Sequence, residues 1–236
     1  MFRLETLGGL ALVNGAGAVV ATQHRRLALL ALLSTVGERG IRRDKLVAYL
    51  WPESPAENAR HALEQLLYAL RRQVNTALFI GTDPLHLNPQ VITSDLGAFE
   101  QALERDDVSG AVAAYRGPFL DGFYLGDAGE FQGWVEEERG RLAEQYASAL
   151  ERLGRQAAEK GDCLAAVETW RKAVALDPLS SRATVGLMTA LAAAGERAVA
   201  IRHGRAYEAL VRQEVGAEPA KAVSTLLRRL ASQTKE

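Results

Sequence analysis

A recurring spacing of small and aromatic residues in the second half of the chain restricts its fold more than any other feature. The positions that carry the spacing are Gly161, Ala166, Trp170, Ala173 and Pro178. The residues at Leu153, Gly161 and Ala166 recur one period later, at Leu187, Gly195 and Ala200. Small side chains allow paired helices to approach closely, while an aromatic ring fills the groove between them. The spacing therefore predicts stacked helical hairpins, each about 34 residues long.

Helical periodicity covers almost all of the chain after Ser94 and Asp95, which together are a predicted helix start. The predicted helices span residues 96–104, 108–115, 130–160, 164–175, 181–194, 197–215 and 220–231. The main interruption lies at residues 117–122, where two glycines and a proline fall close together. Residues 94–236 are therefore predicted to be an all-α, tetratricopeptide-like helical repeat domain.

The first 93 residues combine strands with helices. Three short apolar runs separated by glycines, at residues 2–7, 10–13 and 18–20, predict a small antiparallel sheet of two or three strands. Helical periods follow at residues 22–36, 43–50 and 55–74. Two further apolar runs flank a turn at residues 81–84 and predict a β-hairpin. This order is typical of a winged helix-turn-helix, so residues 1–93 form the predicted first domain of a mainly α protein.

The third helix has the clearest predicted start and two different faces. Ser54 is the predicted N-cap, with Pro55 at the first helical position and Glu57 at the third. One face is apolar and consists of Leu63, Leu66, Leu67, Leu70 and Val74. The opposite face carries the hydrogen-bonding side chains of Asn58, His61, Gln65, Tyr68 and Arg72, with Glu64 and Arg71 on its flank. The polar set suits a helix in the DNA major groove, although any surface helix has a polar outer face.

The basic residues near this helix favour DNA over a plain solvated surface. Arg42, Arg43 and Lys45 precede it on the second helix. The whole chain gives no such hint, because its 28 Lys+Arg and 29 Asp+Glu leave a net charge of -1. Residues 1–100 contain ten Lys+Arg and nine Asp+Glu, a net charge of +1, and the remainder has a net charge of -2.

Several classes of protein do not fit the sequence. A single cysteine, Cys163, excludes an internal disulfide and a cysteine-based zinc site. The N-terminus lacks the features of a signal peptide, and no apolar stretch approaches the length of a membrane helix. The chain is therefore expected to be cytoplasmic, with no membrane partner. No nucleotide-phosphate, nucleophile-elbow or metalloprotease motif is present, and the four histidines are far apart in sequence. We expect no enzyme activity, no cofactor and no metal.

Several ordered motifs resemble one bacterial family across nearly the whole chain. Residues 26–33, 43–46, 50–52 and 59–72 resemble the OmpR-like winged helix of the Streptomyces antibiotic regulatory protein (SARP) family. The second half resembles that family's bacterial transcriptional activation domain at residues 115–120, 130–134, 138–139, 177–179, 187–188 and 216–219. The resemblance implies a sequence-specific DNA-binding transcriptional regulator, and more specifically an activator. It also implies a homodimer on direct repeats of double-stranded DNA, whose helical domain serves dimerisation or contact with RNA polymerase.

The resemblance places the third helix, residues 55–74, in the major groove, and the second helix toward the DNA backbone. Together with the polar face, it gives the predicted DNA-binding residues Arg43, Lys45, Asn58, Arg60, His61, Gln65, Tyr68, Arg71 and Arg72.

Three departures from the family leave an alternative open. Relatives often have a polar or basic residue where this chain has Glu64 and Ala69, and the turn at 81–84 contains no arginine. Glu64 either accepts a hydrogen bond from a cytosine amino group or forms an ion pair along the helix with Arg60 or Arg71. Missing cations weaken binding by a single copy. The alternative function is therefore a tetratricopeptide-like interaction scaffold whose winged helix no longer binds DNA.

Overall fold

The computed structural model describes residues 1–20 and 22–232 and contains two compact units, Met1–Ala143 and Glu144–Glu236. The protein is mainly helical, with small sheets in the first unit, as the sequence predicts. The predicted domain boundary between residues 93 and 94 differs from the division between these units and stays a prediction. None of the helices in the described ranges is both long enough and apolar enough to cross a membrane.

A three-stranded sheet in the first unit joins residues that are distant in sequence. It consists of β1 (Phe2–Glu5), β2 (Ala11–Val13) and a strand at Ile92–Ser94 that pairs with β1 in parallel. The prediction that residues 18–20 supply the third strand of an antiparallel sheet is therefore wrong, because residues 92–94 supply it in parallel. Asn14 closes a short loop by accepting at its side-chain oxygen from the N–H groups of Ala16 and Ala18, both at 3.0 Å. That loop leaves Val19 only an isolated bridge to the sheet.

Three helices follow the first hairpin: α1 (His24–Ser34), α2 (Arg43–Leu50) and α3 (Ala56–Gln73). Their leucines form the core of the winged helix, since Leu29, Leu46 and Leu67 are fully buried. The prediction that Ser54 caps α3 is wrong. Pro55 is the N-cap, with an extended backbone (φ -53°, ψ 138°), and no cap hydrogen bond to a side chain is formed within the described part of the chain. The helix thus begins one residue too late for the Ser54 hydroxyl to cap it.

The predicted β-hairpin after α3 is present and is fixed to the connection between α1 and α2. β3 (Phe79–Ile80) and β4 (His86–Leu87) pair antiparallel, while the last strand, β5, is the Ile92–Ser94 strand described above. Ile41 and Leu85 exchange backbone hydrogen bonds of 2.8 and 2.9 Å. Gly40 is required beside them, because it has a φ of +66° and a Cβ there would lie 2.8 Å from the Leu85 carbonyl oxygen. We call this hairpin the wing.

The helix after the wing begins at Asp95, one residue before the predicted span of 96–104, and the side chain of Asp95 holds the end of β1. This helix, α4 (Asp95–Glu104), is capped by the Ser94 hydroxyl, which accepts from the Gly97 N–H at 2.9 Å. The Asp95 carboxylate accepts from the N–H and hydroxyl groups of Thr6 at 2.7–2.9 Å and from the Leu7 N–H at 3.0 Å. Because Thr6 is fully buried, these bonds satisfy donors that water cannot reach.

A segment between α5 (Val108–Ala114) and α6 (Gly129–Glu159) lies along the turn after β1. The Gly8 N–H donates to the Pro118 carbonyl at 3.0 Å, and the Leu120 N–H donates to the Thr6 carbonyl at 2.8 Å. The Arg139 guanidinium of α6 donates to the backbone carbonyls of Phe119 and Leu120, both at 2.7 Å. The interruption seen in the sequence is therefore an ordered part of the first unit.

The second unit consists of the predicted helical hairpins. After the end of α6 come α7 (Cys163–Leu176), α8 (Ser181–Ala193), α9 (Arg197–Glu214) and α10 (Lys221–Ser232). The Trp170 ring is 6% exposed and lies against two helical glycines. A Cβ would lie 2.7 Å from the ring if built on Gly154, and 2.4 Å from it if built on Gly186. This packing confirms that small residues receive the aromatic ring of the repeat.

Candidate nucleic-acid interface

The solvent-facing side of α3 is polar along its whole length. The buried leucines of the helix face the core, and Leu67 and Leu70 are fully buried. The exposed residues are Asn58, Arg60, His61, Glu64, Gln65, Tyr68 and Arg72. Asn58, His61, Gln65, Tyr68 and Arg72 follow one another at spacings of three or four residues, so they form one stripe, and Arg60 and Glu64 lie beside it. The structure thus brings most of the predicted DNA-binding side chains of α3 onto one accessible face.

Two contacts within the stripe orient its central residues. The Gln65 amide nitrogen lies 2.8 Å from His61 Nε2, so His61 accepts when its proton is on Nδ1. The Arg72 guanidinium lies 5.9 Å from the centroid of the Tyr68 ring, and Tyr68 is 62% exposed. Both pairs present groups that suit DNA. An amide can bond an adenine edge in the major groove, while a cation and a hydroxyl can hold phosphates.

Other predicted cations have partners on the protein surface. Arg60 lies 3.3 Å from the Asp44 carboxylate, and both side chains are mostly exposed. The Lys45 ammonium lies 5.6 Å from the Tyr49 ring centroid. Such exposed contacts are worth about 0–1 kcal/mol, so neither residue is prevented from reaching a phosphate. Arg71 differs because it is half-buried and its guanidinium stacks 5.6 Å from the Phe79 ring centroid in the wing.

Arg43 holds three elements together and is not directed away from the protein. Its side chain is 26% exposed and forms an ion pair with Glu64 of α3. Its Nε donates to the Thr82 carbonyl at 2.7 Å, and its backbone N–H donates to the Asp83 carboxylate at 3.0 Å. The predicted helix-surface pair of Glu64 with Arg60 or Arg71 is therefore wrong. Arg43, which lies far away in sequence, reaches Glu64 because α2 and α3 pack against each other.

Arg42 is a candidate that the predicted set omits. It is exposed at the N-cap of α2, and within the described ranges its side chain has no hydrogen-bond or ion-pair partner. Arg42 and Arg43 are adjacent in sequence, so no sequence pattern separates their roles. Only the contacts of Arg43 show which of the two arginines is available to an outside ligand.

Comparisons with known proteins agree with this architecture. A family model described as "bacterial transcriptional activator domain" matches residues 93–231. The structure is also similar to that of Mycobacterium tuberculosis EmbR, solved in complex with a low-affinity phosphopeptide. The two chains superpose with a TM-score of 0.74 at 21% sequence identity, a likeness that shows the fold. The match covers 98% of this chain and 65% of the EmbR chain, so this chain spans just under two thirds of that protein. No curated protein sequence matches the chain.

Proposed function

The chain belongs to the bacterial transcriptional activator domain family, and we propose that it is a SARP-type regulator that activates transcription by binding specific DNA sequences through α3. The observation that carries this proposal is the continuous exposed stripe of Asn58, His61, Gln65, Tyr68 and Arg72, opposite a buried leucine face. A helix held in this way can enter the major groove without losing its packing.

Within this stripe, the chemistry of each side chain suggests a role. Asn58, His61 and Gln65 carry donors and acceptors suited to base edges. Tyr68 and Arg72 stand further along the helix, where a hydroxyl and a guanidinium suit the phosphate backbone. These contacts together would fix both the sequence and the register of the helix on DNA.

The cations of α2 divide into two roles in this proposal. Arg42 and Lys45 contact phosphates, because both are exposed. Arg43 is a positioning residue that holds Glu64 and the wing turn. Arg71 similarly positions the wing through Phe79. Arg60 is shared between Asp44 in the free protein and phosphate in the complex.

We further propose that two copies bind DNA together and that the helical part serves dimerisation or contact with RNA polymerase. The small number of available cations supports the second copy, since each phosphate contact contributes about 0.9 to the slope of log affinity against log salt. A single copy with a handful of such contacts binds weakly at physiological salt. A second copy on a direct repeat doubles the number of phosphate contacts.

A selected binding site followed by a salt series tests the proposal. Binding-site selection on random duplex DNA with the full chain should yield a motif whose half-site spacing reports the number of copies. On that motif, Gln65→Ala should lose about 1–3 kcal/mol, concentrated at one base position. Arg72→Ala should lose affinity nearly uniformly across sequences and give a shallower salt slope.

The matched control is Arg105→Ala, which removes an exposed cation of the same unit beyond the end of α4. This change should leave affinity and slope unchanged. If Gln65→Ala and Arg72→Ala bind as tightly as the unmodified chain at low salt, α3 does not read DNA. If the selection enriches no motif, the scaffold alternative replaces the proposal.

A further inference from the structure

A groove between α8 and α10 in the second unit has no role in DNA reading. Its volume is about 380 Å³, and its lining is Val185, Thr189, Lys221, Ala222, Thr225, Leu226 and Arg229. The floor is apolar, because it includes Leu226, which is 7% exposed, and Val185. Thr189 and Thr225 also line the groove, and the Thr189 hydroxyl, which donates to the Val185 carbonyl at 2.8 Å, can still accept a hydrogen bond. The groove therefore offers both apolar contact and hydrogen-bonding groups.

Lys221 and Arg229 place positive charge at separated points of the groove. They are eight residues apart on α10, which corresponds to a rise of about 12 Å along the helix. Both are exposed, and in the part of the chain that the structure describes neither has a hydrogen-bond or ion-pair partner for its side chain. Some other cations of the unit are engaged, for example Arg155 with Glu151 at 3.6 Å and Arg212 with Glu208 at 3.9 Å.

The two helices that line the groove carry no negative charge of their own that would neutralise these cations. The sequences of α8 and α10 contain no aspartate or glutamate. Residues 144–236 contain fourteen Lys+Arg and eleven Asp+Glu, a net charge of +3. Residues 1–143 contain fourteen Lys+Arg and eighteen Asp+Glu, a net charge of -4. The balanced charge of the whole chain thus conceals a basic second unit, which favours an acidic partner.

We propose that this groove binds a short acidic peptide segment of another protein, with an apolar side chain between two carboxylates. The apolar side chain packs on Leu226 and Val185, and the carboxylates pair with Lys221 and Arg229. An extended peptide rises about 3.3 Å per residue, so carboxylates about four residues apart span the two cations. The apolar floor favours a peptide over a DNA backbone, which offers phosphates and sugars but no apolar side chain.

The probe is a displayed library of short random peptides, panned on the full chain and then measured one by one by fluorescence anisotropy. The expected winners carry an acidic, apolar, acidic pattern and bind more weakly as salt rises. The double variant Lys221→Glu with Arg229→Glu should lose at least about tenfold in affinity. Both positions are exposed, so circular dichroism should be unchanged.

The matched control is Arg202→Glu with Arg205→Glu, which reverses two exposed cations of α9 outside the groove lining. This control should bind the winning peptides like the unmodified chain. Enrichment of no peptide, winners without acidic residues, or equal loss in both double variants would each overturn the proposal. If the groove variant keeps peptide binding but loses affinity for the selected DNA motif, its cations serve nucleic acid and the peptide proposal is wrong. Binding of peptide is measured without DNA, so its outcome is independent of the role of α3.

Discussion

The two adjacent arginines at the start of α2 should respond in opposite ways to removal. Arg43→Ala should lower the free energy of unfolding, whereas Arg42→Ala should change it by no more than about 0.5 kcal/mol. Conversely, Arg42→Ala should weaken DNA binding with a shallower salt slope, whereas Arg43→Ala should leave that slope unchanged. The prediction follows from exposure and contacts. Of the two arginines, Arg42 lacks a side-chain partner within the described residues, whereas Arg43 contacts Glu64 and Thr82.

The magnitude for Arg43 comes from its contacts. A hydrogen bond to a charged group contributes about 1.5–3 kcal/mol when buried, and an exposed ion pair contributes about 0–1 kcal/mol. The Arg43 side chain is 26% exposed and its partner Glu64 is 54% exposed. We therefore assign the ion pair the energy of an exposed pair, about 0–1 kcal/mol. The 2.7 Å bond to the Thr82 carbonyl supplies most of the rest. We expect a loss of about 1–2 kcal/mol in total.

The assays are denaturant unfolding for stability and DNA anisotropy across a salt series for the slope. One lost phosphate contact reduces the slope by about 0.9, so Arg42→Ala should show that reduction. Glu64→Gln serves as a further control, because it removes the charge that holds Arg43 while keeping the shape. It should lose about 0–1 kcal/mol of stability. An Arg43→Ala variant that is fully stable and shows the shallower slope would refute the positioning role.

Three further predictions concern the packing and charges of the fold. Gly186→Ala should lower the unfolding temperature, because overpacking against the Trp170 ring costs about 1–3 kcal/mol and exceeds the gain in helix propensity. Gly140→Ala, at an exposed helical position with nothing near its Cβ, should instead gain up to about 1 kcal/mol; equal effects would contradict the close ring contact. Burial lowers the pKa of His203, so its unfolded state binds more protons and stability should fall as pH drops below about 6.5. In denaturant titrations between about pH 7.5 and 5.5, the free energy of unfolding should fall less for His203→Gln than for the unmodified chain. Equal falls in the two proteins would show that His203 does not cause the loss of stability. Asp95→Ala should cost about 2–4 kcal/mol in the same titration, because it leaves buried donors at the end of β1 without an acceptor; a loss under about 0.5 kcal/mol would show that those donors find other partners.

The sequence predicts the helices well because their signals are local. The leucine face of α3 and the Ser94 cap of α4 each lie within a few turns of the residues they affect. Their periods and caps depend on neighbouring residues only, so one chain is enough to identify them.

The contacts that join distant segments were not predictable from the same patterns. The partner of Glu64 is Arg43 on another helix, and the third strand of the sheet comes from Ile92–Ser94. Both depend on how elements pack, which no local period encodes. The availability of Arg42 depends on the same packing, so the predicted site could identify a basic cluster but not its free member.

The segment that lies along the turn after β1 has a practical consequence for dissecting the protein. A recombinant fragment that stops at residue 93 would keep α3 and the wing but lose Asp95, the carbonyl of Pro118 and the Arg139 side chain. The Thr6 N–H would lose its acceptor on Asp95, and the Gly8 N–H would lose the Pro118 carbonyl. The buried Phe119, which forms bridges to the turn after β1, would also be gone. Footprinting with such a fragment would report on a weakened scaffold as much as on DNA recognition. A fragment that ends near residue 143 keeps every one of these contacts.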